Sequence, residues 1–284
     1  MFTRRDVTIS LAAALSSLAV RAQGQQEDMT RRPVVYSVPG MADVRVREGL
    51  VYKSADGSPL HFDLYAPATA SRATPAVILV HGGPVPSLGA RRWGVFTSYG
   101  RILAASGMIG IAFDHRLLGP DRLRDSAADL ADLVRHLREQ AKTLGIDENR
   151  LALWAFSGGG PLLAAALRER QSWWKLIVAY YAVMEPLGTA QDERSSPIAA
   201  LGRDASKAPP IVLARAGRDN PALNSTIDRF FAAANSAGAT VDLFTHPTGH
   251  HAFDILDPGE RSSQIIQRTI EVLRTSLGAG RQKA

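Results

Sequence analysis

The chain has 284 residues and not one cysteine. Disulfides, thiolate metal sites and cysteine nucleophiles are therefore excluded. It also lacks a basic run. Its net charge of +6 comes from 28 arginines and five lysines dispersed among acids, which reads as a solvated surface rather than a nucleic-acid patch. No segment is apolar for long enough to span a bilayer, and no repeat or low-complexity stretch is present. What remains is 45% hydrophobic and 21% charged residues. A chain of this length and balance can bury a sizeable core without staples.

The first residues, MFTRRDVTISLAAALSSLAVRAQGQQ, combine a basic start, an apolar stretch from Ile9 to Val20 and small residues before a cleavable bond. That is the layout of a secretory signal peptide over residues 1–22. Arg4-Arg5 loosely resembles a twin-arginine signal. A surface amphipathic helix is the alternative. The expectation is an exported bacterial protein, periplasmic or secreted, with no stable membrane anchor once the signal is cleaved. Residues 23–45, with Pro33 and Pro39, read as an extended leader, and residues 46–284 as one domain.

From Val46 the pattern turns to β. Apolar-rich segments around Val51-Tyr52 and from Leu60 to Tyr65 flank SADGSP, whose Asp-Gly pair signals a hairpin turn. Six further strands follow: PAVILV (75–80), MIGIAFD (108–114), RLALWAF (150–156), KLIVAYYAV (175–183), PIVLARAG (210–217) and ATVDLFTHP (239–247). Continuous β-branched runs mark strands buried on both faces. Between them, apolar residues at three- and four-residue steps predict helices from Leu123 to Ala141, Leu223 to Ala234 and Ile266 to Leu277. Gly145, Gly238 and Gly278 stop them. The alternation predicts an α/β fold: a mostly parallel twisted sheet, helices on both faces and an N-terminal antiparallel hairpin. The interval 185–209 leaves room for a small lid or none.

Right-handed crossovers bring the loops after the parallel strands to one sheet edge, where ligands bind. Those loops carry His81-Gly82-Gly83-Pro84, Ser157-Gly158-Gly159, Arg218-Asp219-Asn220 and HPTGHHAFD. A serine hydroxyl needs a base to take its proton, an imidazole suits that task, and a carboxylate orients and stabilises the imidazole. The serine lies in WAFSGGG, which departs at Ala155 from the G-x-S-x-G pattern of an exposed nucleophile. On such a turn Ser157 takes a sparsely allowed backbone conformation. Donors for a developing oxyanion come from the Gly158 N–H and from the 81–84 loop. Pro84 has no N–H, which leaves Gly83 first and Gly82 second. His81 reads as a loop brace.

Plainer readings compete residue by residue. Ser157 alone is equally a helix N-cap. Asp219 is equally a turn residue before Pro221, and Asp228 is a competing acid that falls inside a helix. His246, His250 and His251 lack the carboxylate partner of a zinc signature. Neither a metal nor an organic cofactor is expected. Trp173-Trp174 and Tyr180-Tyr181 read as packing, with the Tyr pair and Met184 also candidates to line a pocket.

The ordered set decides between these readings. DLYAP (63–67), VHGGP (80–84), FDHRL (113–117), FSGGG (156–160), AGRD (216–219) and GHHAFD (249–254) resemble, as a series, the α/β-hydrolase superfamily from about Val51 to Asp254. The likeness is greatest to the esterases grouped with dienelactone hydrolases, acetyl esterases and prolyl-oligopeptidase-like enzymes. It implies Ser157 as nucleophile, Asp219 as triad acid and His251 as base. His251 is preferred to His250 because a small residue and an aromatic, Ala252-Phe253, follow it. Gly83, Gly158 and Gly82 then form the oxyanion hole. Dienelactone hydrolase itself uses a cysteine, so its activity does not carry over. The implied activity is hydrolysis of small or short-acyl carboxylic esters through an acyl-enzyme, with a small-molecule ester as partner. A homodimer is a further candidate. The rivals are a peptidase of the prolyl-oligopeptidase kind, for whose propeller this chain has no room, and a non-catalytic binding protein on the same fold.

Overall fold

Asp56 and Gly57 both take positive φ, 51° and 75°, as a two-residue hairpin turn requires. They join β1 (Arg45–Ala55) antiparallel to β2 (Ser58–Ala66). Six strands follow: β3 (Thr74–Val80), β4 (Ile109–Phe113), β5 (Ile146–Phe156), β6 (Trp174–Tyr180), β7 (Ile211–Ala216) and β8 (Val241–His246). They form one sheet in the order β1-β2-β4-β3-β5-β6-β7-β8. β2 pairs antiparallel with β4, and every pairing from β4 to β8 is parallel. The computed structural model describes residues 29–69, 73–83, 85, 88–117, 120–185 and 193–279. The expected signal segment, residues 1–22, lies outside them.

Alternation along the strands feeds two cores. In β5, Leu151, Leu153 and Ala155 face one and Ala152, Trp154 and Phe156 the other. The helices are α1 (Gly94–Ala105), α2 (Leu123–Glu139), α3 (Ala141–Leu144), α4 (Ala164–Glu169), α5 (Pro197–Leu201), α6 (Pro221–Ser236), α7 (Phe253–Leu256) and α8 (Glu260–Ser276). Helices α2 to α6 cover the first core, and α1, α7 and α8 the second. This is the layered architecture that the alternating pattern predicts. Among the described residues no helix is long and apolar enough to cross a membrane.

Three features differ from the sequence reading. Helix α1 is absent from it. Its buried Val95, Phe96, Tyr99, Ile102 and Leu103 recur at three- and four-residue steps, and Gly100 lets it close on β2, where a Cβ would collide with the Tyr65 ring. The expected Leu123–Ala141 helix ends at Glu139, and a separate turn, α3, runs to Gly145, whose φ of 73° closes it. The described part of the leader, residues 29–44, is a strap packed on the domain. Val34 and Val44 are buried, and the Val34 N–H donates to Ser98 Oγ at 3.3 Å. The described part of the 185–209 interval carries α5, whose Ala200 and Leu201 sit in the first core.

Two acids of the sequence motifs are structural. Arg91 Nη1 lies 2.9 Å from Asp63 Oδ2, and its Nε lies 3.1 Å from Asp114 Oδ2, all three side chains being buried. Asp114 Oδ1 also accepts the Gly89 N–H at 2.9 Å. A pair of buried carboxylates sharing one guanidinium and backbone donors is satisfied rather than stranded. It fastens the segment after the glycine loop to the sheet.

Candidate active site

Strand β5 ends at Phe156, and the chain turns on Ser157 with φ 52° into a 3-10 turn over residues 157–163. A non-glycine residue in that region is strained by about 1–3 kcal/mol. The three glycines that follow explain how the turn fits. A Cβ on Gly159 would lie 2.6 Å from the His81 carbonyl oxygen, one on Gly158 would collide with the Gly83 carbonyl, and one on Gly160 with that of Val183. Loops after β3 and β6 thus close directly against the turn. Ala155, where the motif usually has glycine, is fully buried and shares the first core with Leu162, Leu163 and Ala164. Its methyl group occupies core volume next to the residues that follow the turn.

The expected partners meet at this point. Ser157 Oγ lies 2.8 Å from His251 Nε2, and His251 Nδ1 lies 2.7 Å from Asp219 Oδ2. The Asp219 side chain is 4% exposed, so its interaction with the imidazole is little screened. Two backbone bonds hold the acid and histidine loops together: Gly217 N–H to His246 O and Arg218 N–H to Gly249 O, both 2.8 Å. Positive φ also occurs at Tyr181 (37°) and Ala252 (62°). Among the described residues, three of the five non-glycines with positive φ therefore border this site, a concentration of strain typical of functional loops.

The glycine loop lies across the serine. A Cβ on Gly82 would sit 2.7 Å from Ser157 Cβ and 3.1 Å from the Gly158 nitrogen. One on Gly158 would sit 3.0 Å from the Gly83 nitrogen. The amides of Gly83 and Gly158 are thus neighbours beside Ser157. His81 braces this loop: its Nδ1 lies 2.7 Å from Gly82 O. Its ring stacks on His115 with centroids 3.6 Å apart and planes 11° apart. Burial pushes His81 down to about 4 and His115 well below the ordinary imidazole range. Both are therefore neutral near pH 7, which allows two imidazoles to stack. Sequence reading gave His115 no role; its place in FDHRL was the available signal.

The competitors lie elsewhere. His250 is directed to Asp257, with Nδ1 2.9 Å from Oδ1. Asp228 pairs with Arg215 on the surface, and His246 packs against Phe253. Among the described residues no group of three or more His, Asp or Glu side chains is placed to hold a metal ion. Trp173 lies under the Arg138 guanidinium, 3.7 Å from its ring centre. Met184 is fully buried in the first core.

Beside Ser157 opens a cavity of about 310 Å³ whose walls include Met29, Val85, Trp93, Phe96, Tyr181 and Ile255. Among the described lining residues, His251 alone can carry a positive charge and none is a carboxylate. An apolar cavity with a few convergent polar groups is what a small-molecule site requires, and its volume is at the small end. Met29 belongs to the strap, which therefore forms part of the wall. Tyr181 fulfils the pocket role expected of the Tyr pair; Tyr180 is packed in the second core.

The BD-FAE family model matches residues 62–181. A non-reducing polyketide synthase, stbA, of Stachybotrys bisbyi is 31% identical over 123 residues, which is 40% of this chain. The chain spans only 6% of that relative's length. Among solved structures, esterase 2 of Thermogutta terrifontis phosphorylated by paraoxon superposes with a TM-score of 0.66 at 22% identity, covering 85% of this chain and 97% of that one. The butyrate-bound form of the same esterase gives 0.64 at 22% identity, covering 84% and 95%. A truncated carbohydrate esterase from gut microbiota gives 0.67 at 17% identity, covering 87% and 100%.

Proposed function

We propose that this chain, an α/β-hydrolase by fold, is a serine hydrolase of small carboxylic esters. The observation that carries the reading is the continuous line Ser157–His251–Asp219, with links of 2.8 and 2.7 Å. The esterase titles of its structural neighbours and the BD-FAE match support the same chemistry.

In this reading Ser157 Oγ attacks the ester carbonyl carbon while its proton passes to His251 Nε2. Asp219 holds Nδ1–H and stabilises the imidazolium. The N–H groups of Gly158 and Gly83, with Gly82 behind them, receive the developing oxyanion. The C–O bond to the alcohol breaks as His251 returns the proton to the leaving oxygen. Water then loses a proton to His251, attacks the acyl carbon and releases the acid and free Ser157. The positive φ of Ser157 exposes Oγ to the cavity throughout. The small cavity, with described walls that are mostly apolar, favours a small, apolar ester.

The test is p-nitrophenyl acetate hydrolysis by wild type, Ser157→Ala, His251→Ala and His250→Ala. Ser157→Ala and His251→Ala lose at least about a thousandfold in kcat, whereas His250→Ala stays within a few-fold. Equal near-background rates in wild type and Ser157→Ala would leave a non-catalytic protein. Export through residues 1–22 is part of the proposal on sequence pattern alone, and the N-terminal mass of protein recovered outside the cytoplasm checks it.

A further inference from the structure

Asp254 is a second acid beside the site, and the reaction above gives it no part. It is fully buried. Its Oδ1 accepts the Tyr181 hydroxyl at 2.7 Å and its Oδ2 the Tyr99 hydroxyl at 2.8 Å. Its backbone carbonyl accepts the Val35 N–H of the strap at 2.8 Å. One residue thus fastens the histidine loop to the end of β6, to α1 and to the strap. The Tyr181 ring in turn meets the His251 ring edge-on, with centroids 4.8 Å apart and planes at 62°. Tyr181 holds that pose at a positive φ of 37°, so its backbone conformation does not follow from local preference.

We propose that Asp254 is a positioning residue for His251: through the Tyr181 ring it holds the imidazole in place for Ser157, and its buried charge favours the protonated ring. The proposal rests on the hydrolase reading of Ser157 and His251. The groups that face Asp254 are Tyr99 from α1, Tyr181 from the loop after β6 and His251 from the loop that leads into α7. Tyr180 donates or accepts at Thr269 Oγ1, 2.7 Å away, and so is occupied elsewhere. His246 packs on the neighbouring Phe253, and Ser262 Oγ bonds the Phe253 carbonyl. No guanidinium or ammonium neutralises Asp254 among these. Burial pushes its carboxyl up to about 6, against the two phenol hydrogen bonds and the charge of His251.

The sign follows. Above pH 6 the carboxylate is charged and favours the imidazolium that forms as Ser157 gives up its proton. Below pH 6 that stabilisation is lost. The experiment compares kcat and KM for p-nitrophenyl acetate between pH 5 and 8.5 in wild type, Asp254→Asn, Tyr181→Phe and Tyr99→Phe, each first checked for its melting temperature. Expected for Asp254→Asn is a roughly tenfold loss of kcat at pH 8 with a smaller change in KM. The wild-type-to-variant ratio of kcat/KM then shrinks as pH falls through 6. Tyr181→Phe, which keeps its ring, loses more kcat than Tyr99→Phe, which cuts the bond on the side away from His251. A pH-independent ratio for Asp254→Asn, or equal losses in the two Tyr variants, would overturn the proposal and leave Asp254 a packing residue. If Asp254→Asn does not fold, the comparison of the two conservative Tyr variants still decides. No turnover in wild type above the Ser157→Ala background would instead sink the hydrolase reading.

Discussion

Gly82 and Ser157, 75 positions apart in the chain, are so close that a Cβ on the glycine would lie 2.7 Å from the Cβ of the serine. Backbone of one loop is pressed onto the side chain of another. Proteins resist such overlap by shifting the weaker element, here the glycine loop. Gly82→Ala is therefore expected to displace the Gly83 amide from Ser157 and lower kcat at least tenfold. Its melting temperature should fall by only a few degrees. Steady-state kinetics with p-nitrophenyl acetate check this, and an unchanged kcat would show that the loop's position is not critical.

Ala155 leads to the opposite expectation. It is fully buried and packs in the first core with Leu162, Leu163 and Ala164, away from the glycines that close the turn against the loops after β3 and β6. Ala155→Gly restores the usual motif yet removes core volume and stiffening from a strand, a loss of about 0.5–1 kcal/mol. Activity is expected to stay within twofold while the melting temperature falls by roughly 1–4 °C. A large gain in activity would show that the methyl group had been holding the turn open.

The stacked His81 and His115 predict acid sensitivity. Burial depresses both below the ordinary value, His81 to about 4. The unfolded chain therefore binds more protons than the folded one between about pH 6.5 and 4, and stability falls as pH falls through that window. Each such proton is worth about 1.4 kcal/mol per pH unit. Asp254, raised to about 6, works the other way between its unfolded value and pH 6. Melting temperatures measured from pH 7 to 5 should fall in the wild type. They should fall less in His115→Phe, which keeps a ring on His81 but cannot take a proton. Parallel curves would rule out the pair as the source.

Met29 carries the strap into the cavity wall. Met29→Trp is expected to fill part of the cavity and lower the ratio of hexanoate to acetate hydrolysis several-fold, and Met29→Ala to raise it. A p-nitrophenyl acyl series and a series of alkyl acetates, run side by side, show whether the acid or the alcohol part lies against this wall. Ratios unchanged in both series would place Met29 outside the substrate's reach.

By itself the sequence determined the sheet, the hairpin turn and the order of chemical groups along one sheet edge. Burial on both faces leaves runs such as PAVILV, and a hairpin leaves Asp-Gly, because these constraints act between residues near in the chain. The tertiary structure decided the rest. Helix α1 has a legible apolar face at Val95, Tyr99 and Ile102, but only packing sets Gly94 against the backbone of Arg31 and Arg32 and Gly100 against the Tyr65 ring. The supposed leader is anchored by Val34 on Ser98 and Val35 on Asp254, bonds that span 64 and more than 200 residues, and its Met29 joins the cavity wall. The bond from Tyr99 to Asp254 crosses 155 residues, and no local pattern encodes a buried carboxylate shared by two phenols. Periodicity records which face of an element is buried. It does not record which distant group lies on the other side, and only packing in three dimensions supplies that.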